Sequence, residues 1–225
     1  MKELMNILIV DDHPVIVEAL MLMFTVKGLE QYEFNIDVAV DCESGKKTID
    51  ESLKKQLYDL MFFDVSMPAT ADGIIVSGED LAIYAKKVSP TSRIAIFTMY
   101  KEYTRIHNIL RNADPDGFMS KNDLRSRDFA YAFETIMNDP PYYSATIKKY
   151  FRNQSIKVED PILDDVNRKI IYHLSVGAKT KDLPNYVNLS LSTVEKRKLQ
   201  IKDILNIEKA NDDEMIEEAR RRGLL

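Results

Sequence analysis

Cysteine occurs once in this 225-residue chain, at Cys42. A single thiol excludes an internal disulfide and a Cys-rich zinc site, so Cys42 reads as a small packed side chain. No apolar run approaches the roughly 20 residues of a membrane helix. The short N-terminal stretch Ile7 to Val10 stops at Asp11 and Asp12 and does not read as a signal peptide. A cytoplasmic protein is expected, with no membrane partner. Positive charge is not in excess either: the net charge is −5 and the pI about 5.4. Any contact with nucleic acid must therefore come from a local basic patch rather than a global field. Of the three histidines, His13 and His107 show no metal-ligand spacing and read as surface or capping residues. What is present is apolar material, 45% of residues, enough for packed cores in one large or two ordinary domains.

The most informative stretch is Leu60-Met61-Phe62-Phe63-Asp64. An apolar run too short for a helix reads as a strand buried on both faces, and it ends in a carboxylate. Met5 to Val10 is a second such strand, ending in Asp11 and Asp12. Phe34 to Val40 alternates like a strand, Ile94 to Phe97 ends at Thr98, and Gly117 to Ser120 ends at Lys121. Helices are predicted between them: Pro14 to Gly28, Asp41 or Cys42 to Lys55, Glu79 to Val88, Glu102 to Arg111 and Leu124 to Met137. Met67 to Ser77 is a loop. This alternation predicts an α/β fold, a doubly wound five-stranded parallel sheet. In such sheets ligands bind beyond the carboxyl ends of the strands. Parallel strands therefore bring Asp11, Asp12, Asp64, Thr98 and Lys121 to one edge.

Three crowded carboxylates repel unless a cation joins them. Oxygen ligands suit a hard cation, and Mg²⁺ fits best because it takes one or two carboxylates plus a phosphate. Lys121 and Thr98 add a positive charge and a hydroxyl donor, the parts of a clamp on a phosphoryl group. A carboxylate can itself be the nucleophile.

The Asp11-Asp12 pair, Asp64 followed by Met67-Pro68, Thr98, and Phe118 three residues before Lys121 resemble the receiver domain of bacterial two-component response regulators. The resemblance spans roughly residues 4 to 138. It implies that Asp64 accepts a phosphoryl group from a sensor histidine kinase, and that Asp12, Asp64 and the carbonyl of Ser66 ligate Mg²⁺, with Asp11 acting through water. Thr98 and Lys121 would grip the phosphoryl oxygens. Phe118 would be the aromatic switch residue, turning in as Thr98 is drawn toward the phosphoryl group. The loop between Pro68 and Gly78 is several residues longer than usual in that family and is expected to overhang the acceptor.

Residues 139–161 read as a short helix, Ser144 to Phe151, and a polar linker, Arg152 to Pro161. Residues 162–225 read as an all-α unit of four helices. These are Asp164 to Val176, Lys179 to Val187, Thr193 to Leu205 capped by Ser192, and one from Asn211 or Asp212 to Arg222. Between Lys179 and Lys202 six basic residues face two acids, Asp182 and Glu195. A helix fits the major groove, and lysines along it gain affinity by displacing phosphate counterions. Leu174 to Leu205, with Leu189-Ser190 and Ser192-Thr193-Val194-Glu195-Lys196-Arg197, resembles the LuxR/NarL-type helix-turn-helix. The expected DNA-contact set is Thr193, Lys196 and Glu195, the last two toward bases, with Lys179, Lys181, Arg197, Lys198 and Lys202 toward phosphates. Pro184 departs from the family pattern and predicts a bent or shortened scaffold helix.

The expected protein is a response regulator and transcription factor, not an enzyme beyond its own phosphoryl transfer. Phosphorylation would shift domain docking or form a homodimer on double-stranded DNA. Two alternatives stand beside it. One is a phosphorylation-independent regulator. The other is an Asp-nucleophile phosphohydrolase, which typically has a second Asp two residues on, where this chain has Ser66.

Overall fold

The computed structural model describes residues 2–100, 103–123, 125–152 and 163–225. Five strands are β1 (Glu3–Val10), β2 (Tyr32–Ala39), β3 (Leu60–Asp64), β4 (Arg93–Thr98) and β5 (Gly117–Ser120). The helices between and after them are α1 (Pro14–Met23), α2 (Cys42–Ser52), α3 (Gly78–Val88), α4 (Tyr103–Ala113) and α5 (Ser126–Asn138). All strands are parallel, in the order β2-β1-β3-β4-β5 followed by a sixth, β6 (Tyr142–Tyr143). The order reverses between β1 and β3, which places the crevice of a doubly wound sheet at the tips of those two strands.

Burial follows position in the sheet. Every residue of β3 is buried, whereas the edge strand β2 alternates between exposed and half-buried positions along most of its length. One layer packs α1 and α5 onto the sheet around Phe24, Phe62, Phe129 and Phe133, whose rings meet edge-on or stacked. The other layer buries Phe63, Leu81, Ile96, Ile106 and Phe118 beneath α2, α3 and α4.

The sequence pattern did not reveal β6. Two residues are too few to show periodicity. The Tyr142 N–H donates to Asp116 O, and the Ser144 N–H to Phe118 O, so the chain runs alongside β5. It then enters α6 (Ala145–Arg152), whose first turn is held by Asp123. That carboxylate accepts from Ser144 Oγ and Thr146 N, each at 2.6 Å. Ile147 and Tyr150 of α6 join the layer that holds α4. The expected linker beyond Arg152 lies outside the described residues, as do the expected helix starts at Glu102 and Leu124.

The C-terminal unit contains α7 (Asp165–Ser175), α8 (Pro184–Val187), α9 (Leu191–Ile204) and α10 (Asp212–Arg221) around a core of Ile170, Ile171, Val194, Ile201 and Met215. Asp164 and Asn211 cap α7 and α10 as expected. Two boundaries differ. The helix α9 starts at Leu191, because the Ser190 hydroxyl, not that of Ser192, accepts the Thr193 N–H. The single scaffold helix expected over Lys179 to Val187 is a 3₁₀ turn, Thr180–Asp182, followed by α8 with Pro184 in its first turn, where a missing N–H costs nothing. No helix among the described residues is long and apolar enough to cross a membrane.

Candidate functional site

The strand tips converge. Asp64 ends β3, Thr98 ends β4, Asp11 follows β1, and Lys121 follows β5 in a 3₁₀ turn. The Lys121 Nζ lies 2.7 Å from Asp11 Oδ2 and 2.9 Å from Asp64 Oδ2, with all three side chains at most 3% exposed. Asp12 stays open to solvent on the rim. Burial pushes the Asp64 carboxyl above the usual carboxylate range. Lys121 pulls it back, and the negative charge of Asp11 adds to the rise. Thr98 is wholly buried, and its Oγ1 accepts the Tyr100 N–H at 2.9 Å.

The donor set fits a hard divalent cation. Asp64 Oδ2 is buried without an aligned hydrogen-bond donor, although the Lys121 charge is beside it. Carboxylate oxygens of Asp11, Asp12 and Asp64 and a ring nitrogen of His13 lie within 4.8 Å of one another. His13, expected to be a bystander, is thus part of the rim. Its Nδ1 sits 2.6 Å from Asp12 Oδ1 and 3.3 Å from Asp11 Oδ1.

Gly78 fixes the wall opposite. Its N–H donates to Val65 O at 3.1 Å, and a Cβ at this position would lie 1.6 Å from Asp64 O. The N-terminus of α3 reaches β3 only because this residue has no side chain.

Phe118 has no exposed surface, because β6 and α6 close that edge and Ile147 packs into the same layer. The loop after Pro68 starts beside the rim, where Pro68 and Asp12 line one cleft. Its tip turns toward α7, where His173 Nε2 donates to Gly73 O at 2.8 Å and the His173 ring stacks on Tyr186. The rim of the site faces the C-terminal unit across a cleft of about 400 Å³. Asp12, Ser66 and Arg105 line one side of it, and Tyr172, Leu224 and Leu225 the other.

A buried ionic cluster beside this cleft joins the two units, and it has no signature in the residue pattern. Arg168 of α7 pairs with Asp80 and lies 3.6 Å from Glu79 Oε2; Arg105 of α4 lies 2.6 Å from the same Glu79 oxygen. All four side chains are at most 5% exposed. Burial pushes Glu79 and Asp80 up, but Arg105 and Arg168 outweigh it for Glu79, and Arg168 and Lys169 for Asp80, so both carboxyls are held below their usual range. Asp165, at the rim, goes the other way. Burial, then a hydrogen bond shared with Asp80 and the charge of that residue, push it up to about 6. In sequence, Glu79 and Asp80 are merely acids in a first helical turn, and their partner is 88 residues from Asp80.

Among the expected DNA-contact residues, Lys179, Lys181, Glu195 and Lys196 are exposed, and Thr193 and Lys202 half-buried. Arg197 and Lys198 are engaged within the unit. Arg197 pairs with Asp164, and Lys198 Nζ holds Asp212 at 2.6 Å and Thr180 Oγ1 at 2.7 Å.

The model of the response regulator receiver domain matches residues 7–127. No curated protein matches the sequence. Among solved structures, RcsB from Salmonella enterica serovar Typhimurium, bound to the rprA promoter with the phosphomimetic BeF₃⁻, matches with TM-score 0.68 at 19% identity. That match covers 95% of this chain and 97% of the other. RcsB from Salmonella typhimurium in a study of conformational dynamism matches with TM-score 0.65 at 19% identity over 99% of each chain. A third RcsB structure from Salmonella enterica, on the P1flhDC promoter, gives 0.64 at 21% identity over 95% and 97%. At these identities the likeness establishes a shared fold across both units. With a receiver model covering more than half of its length, the chain belongs to the response regulator receiver domain family.

Proposed function

We propose that this protein is a phosphorylation-controlled DNA-binding transcription factor, with Asp64 the acceptor and a sensor histidine kinase the donor. The observation that carries this reading is the meeting of Asp11, Asp12, Asp64, Thr98 and Lys121 at one sheet edge. An Asp64 oxygen attacks the phosphorus of the donor phosphohistidine; the new O–P bond forms as the P–N bond breaks, and the donor imidazole leaves. Mg²⁺ held by Asp12, Asp64 and the Ser66 carbonyl, with Asp11 through water, would neutralise the oxygens of the transferring group. Lys121, already bridging Asp11 and Asp64, turns to the new phosphoryl oxygens, and the Thr98 hydroxyl donates to one of them.

The structure supports a route outward from Thr98. Drawing Thr98 Oγ1 toward the phosphoryl group takes it from the Tyr100 N–H. The Tyr100 ring lies under the Arg105 guanidinium, 5.4 Å from its centroid. Arg105 shares Glu79 with Arg168, so a shift of α4 disturbs the contact that holds α7. Release of the C-terminal unit lets two copies align their α9 helices on double-stranded DNA as a homodimer. Solved RcsB structures on promoter DNA, one with two dimers on parallel duplexes, support the DNA-bound dimer by likeness. The outward face of α9 is exposed even in the docked arrangement, so docking sets the orientation of that helix rather than hiding it.

Asp64→Asn tests the assignment. Wild-type protein incubated with Mg²⁺ and radiolabelled acetyl phosphate should become labelled, and the variant should not. Labelling that persists in the variant would place the acceptor elsewhere.

A further inference from the structure

Resting on the DNA-binding reading, we propose that the base-reading stripe of α9 is Ser192, Glu195, Lys196 and Leu199, and that Leu199 reads thymine through its 5-methyl group. The helix is divided lengthwise. Val194 and Ile201 face the core. Arg197 and Lys198 lie on its flanks, each tied to a neighbouring element through Asp164 and Asp212. Exposed on the outward side are residues 192, 195, 196, 199, 200 and 203, at spacings of three and four, and the stripe is drawn along the first four, those nearest the N-terminal end of the helix.

A single exposed leucine is ordinarily unremarkable. Leu199 differs in its company. It is 64% exposed, one turn from Lys196 and three residues from Lys202, on the side of the helix that carries the free positive charge. Exposed Lys179 and Lys181 precede the same turn. This charge selects a polyanion as the occupant, and a helix of this width enters the major groove. The one apolar group that groove presents is the thymine methyl. Glu195 is an acceptor matched to the cytosine amino group, and Lys196 a donor matched to guanine O6 and N7. The stripe thus favours a half-site in which a G·C pair adjoins a thymine. Of the five residues expected toward phosphates, Arg197 and Lys198 are engaged within the unit, which leaves that role to Lys179, Lys181 and Lys202.

The test uses the full chain with Mg²⁺ and beryllium fluoride. A pool of random-sequence duplexes is enriched for binders, and each thymine of the selected site is then replaced by deoxyuridine. For the wild type, one thymine per half-site should be sensitive, its replacement weakening binding about three- to tenfold, the value of one buried methyl. Leu199→Ala, with an unchanged melting temperature, should bind the thymine duplex weaker by the same factor and no longer distinguish uracil. The proposal is overturned if no thymine is sensitive, or if Leu199→Ala still prefers thymine. It is also overturned if the variant loses affinity equally for both duplexes, which would assign Leu199 to a protein contact. Failure to enrich any duplex would instead overturn the DNA-binding reading itself.

Discussion

Replacing Arg168 with alanine should open the molecule without unfolding it. The guanidinium is the cation that α7 brings to Glu79 and Asp80, and all three side chains are at most 5% exposed. Removing one partner of a buried ion pair costs about 3–5 kcal/mol, because the other charge is left uncompensated. Arg105 remains 2.6 Å from Glu79, and Lys169 lies 3.9 Å from Asp80, so part of the field survives. Several of these contacts also lack hydrogen-bond alignment. The lower end, about 3 kcal/mol or roughly a hundredfold in the docking equilibrium, is the better expectation. The two acids can escape the penalty by meeting water, and undocking α7 exposes them while leaving each hydrophobic core intact. Small-angle scattering should show a larger radius of gyration. Amide exchange should speed up at the α7–α3 contact and stay slow in β1 and β3. Combining Arg168→Met with Asp80→Asn should restore much of the compact form, since Glu79 keeps Arg105 and the acid that loses its arginine is no longer charged. An Arg168→Ala protein as compact and as protected as the wild type would refute the role assigned to this cluster.

Other outcomes follow from the same coordinates. Gly78→Ala should destabilise the receiver by about 3 kcal/mol or more in urea, since the added methyl has no room beside Asp64 O; a midpoint within error of wild type would deny that close approach. Asp165 is charged at pH 7.5 only against the repulsion of Asp80, and its raised pKa means the docked state holds a proton that the undocked state loses between about pH 6 and the ordinary carboxylate value. Asp165→Asn should therefore tighten docking most at pH 7.5, less at pH 5, and hardly at all once the pH falls to the ordinary carboxylate value, checked by scattering across that range. Lys198→Ala should cost the C-terminal unit about 1 kcal/mol in thermal melts through loss of Asp212 and leave the salt dependence of DNA binding unchanged. Lys181→Ala should do the reverse, leaving the melt unchanged and lowering the salt slope by about 1.

The sheet and the acidic edge that carries the candidate site were legible because each rests on local signals. A run such as Leu60 to Phe63 can be buried only as a strand, and a charged or hydroxyl residue that ends it must lie at the tip. Parallel topology then does the assembling, so Asp64 and Lys121 are brought together by the fold rather than by proximity in sequence. The ionic cluster has no such local signature. Glu79 and Arg168 belong to different domains, and each looks like an ordinary helical charge until α7 is laid on α3. Arg197 and Lys198 show the same limit from the other side. Helical spacing gives the angle at which a residue leaves α9, but not that Asp164 and Asp212 wait beside it. Phe118 was correctly placed on its strand, while the covering by Ile147 depended on β6, a pairing of two residues.

That sixth strand also decides how copies of this protein can meet. With β5 occupied on its outer side, β2 is the sheet's remaining long border, and its backbone groups on one side have no neighbouring strand. Its exposed positions include Glu33 and Asp37. Two such borders laid against each other would set acid against acid along the seam, a built-in deterrent to continuous sheet growth. The helical surfaces carry no such seam of backbone groups and no such repulsion.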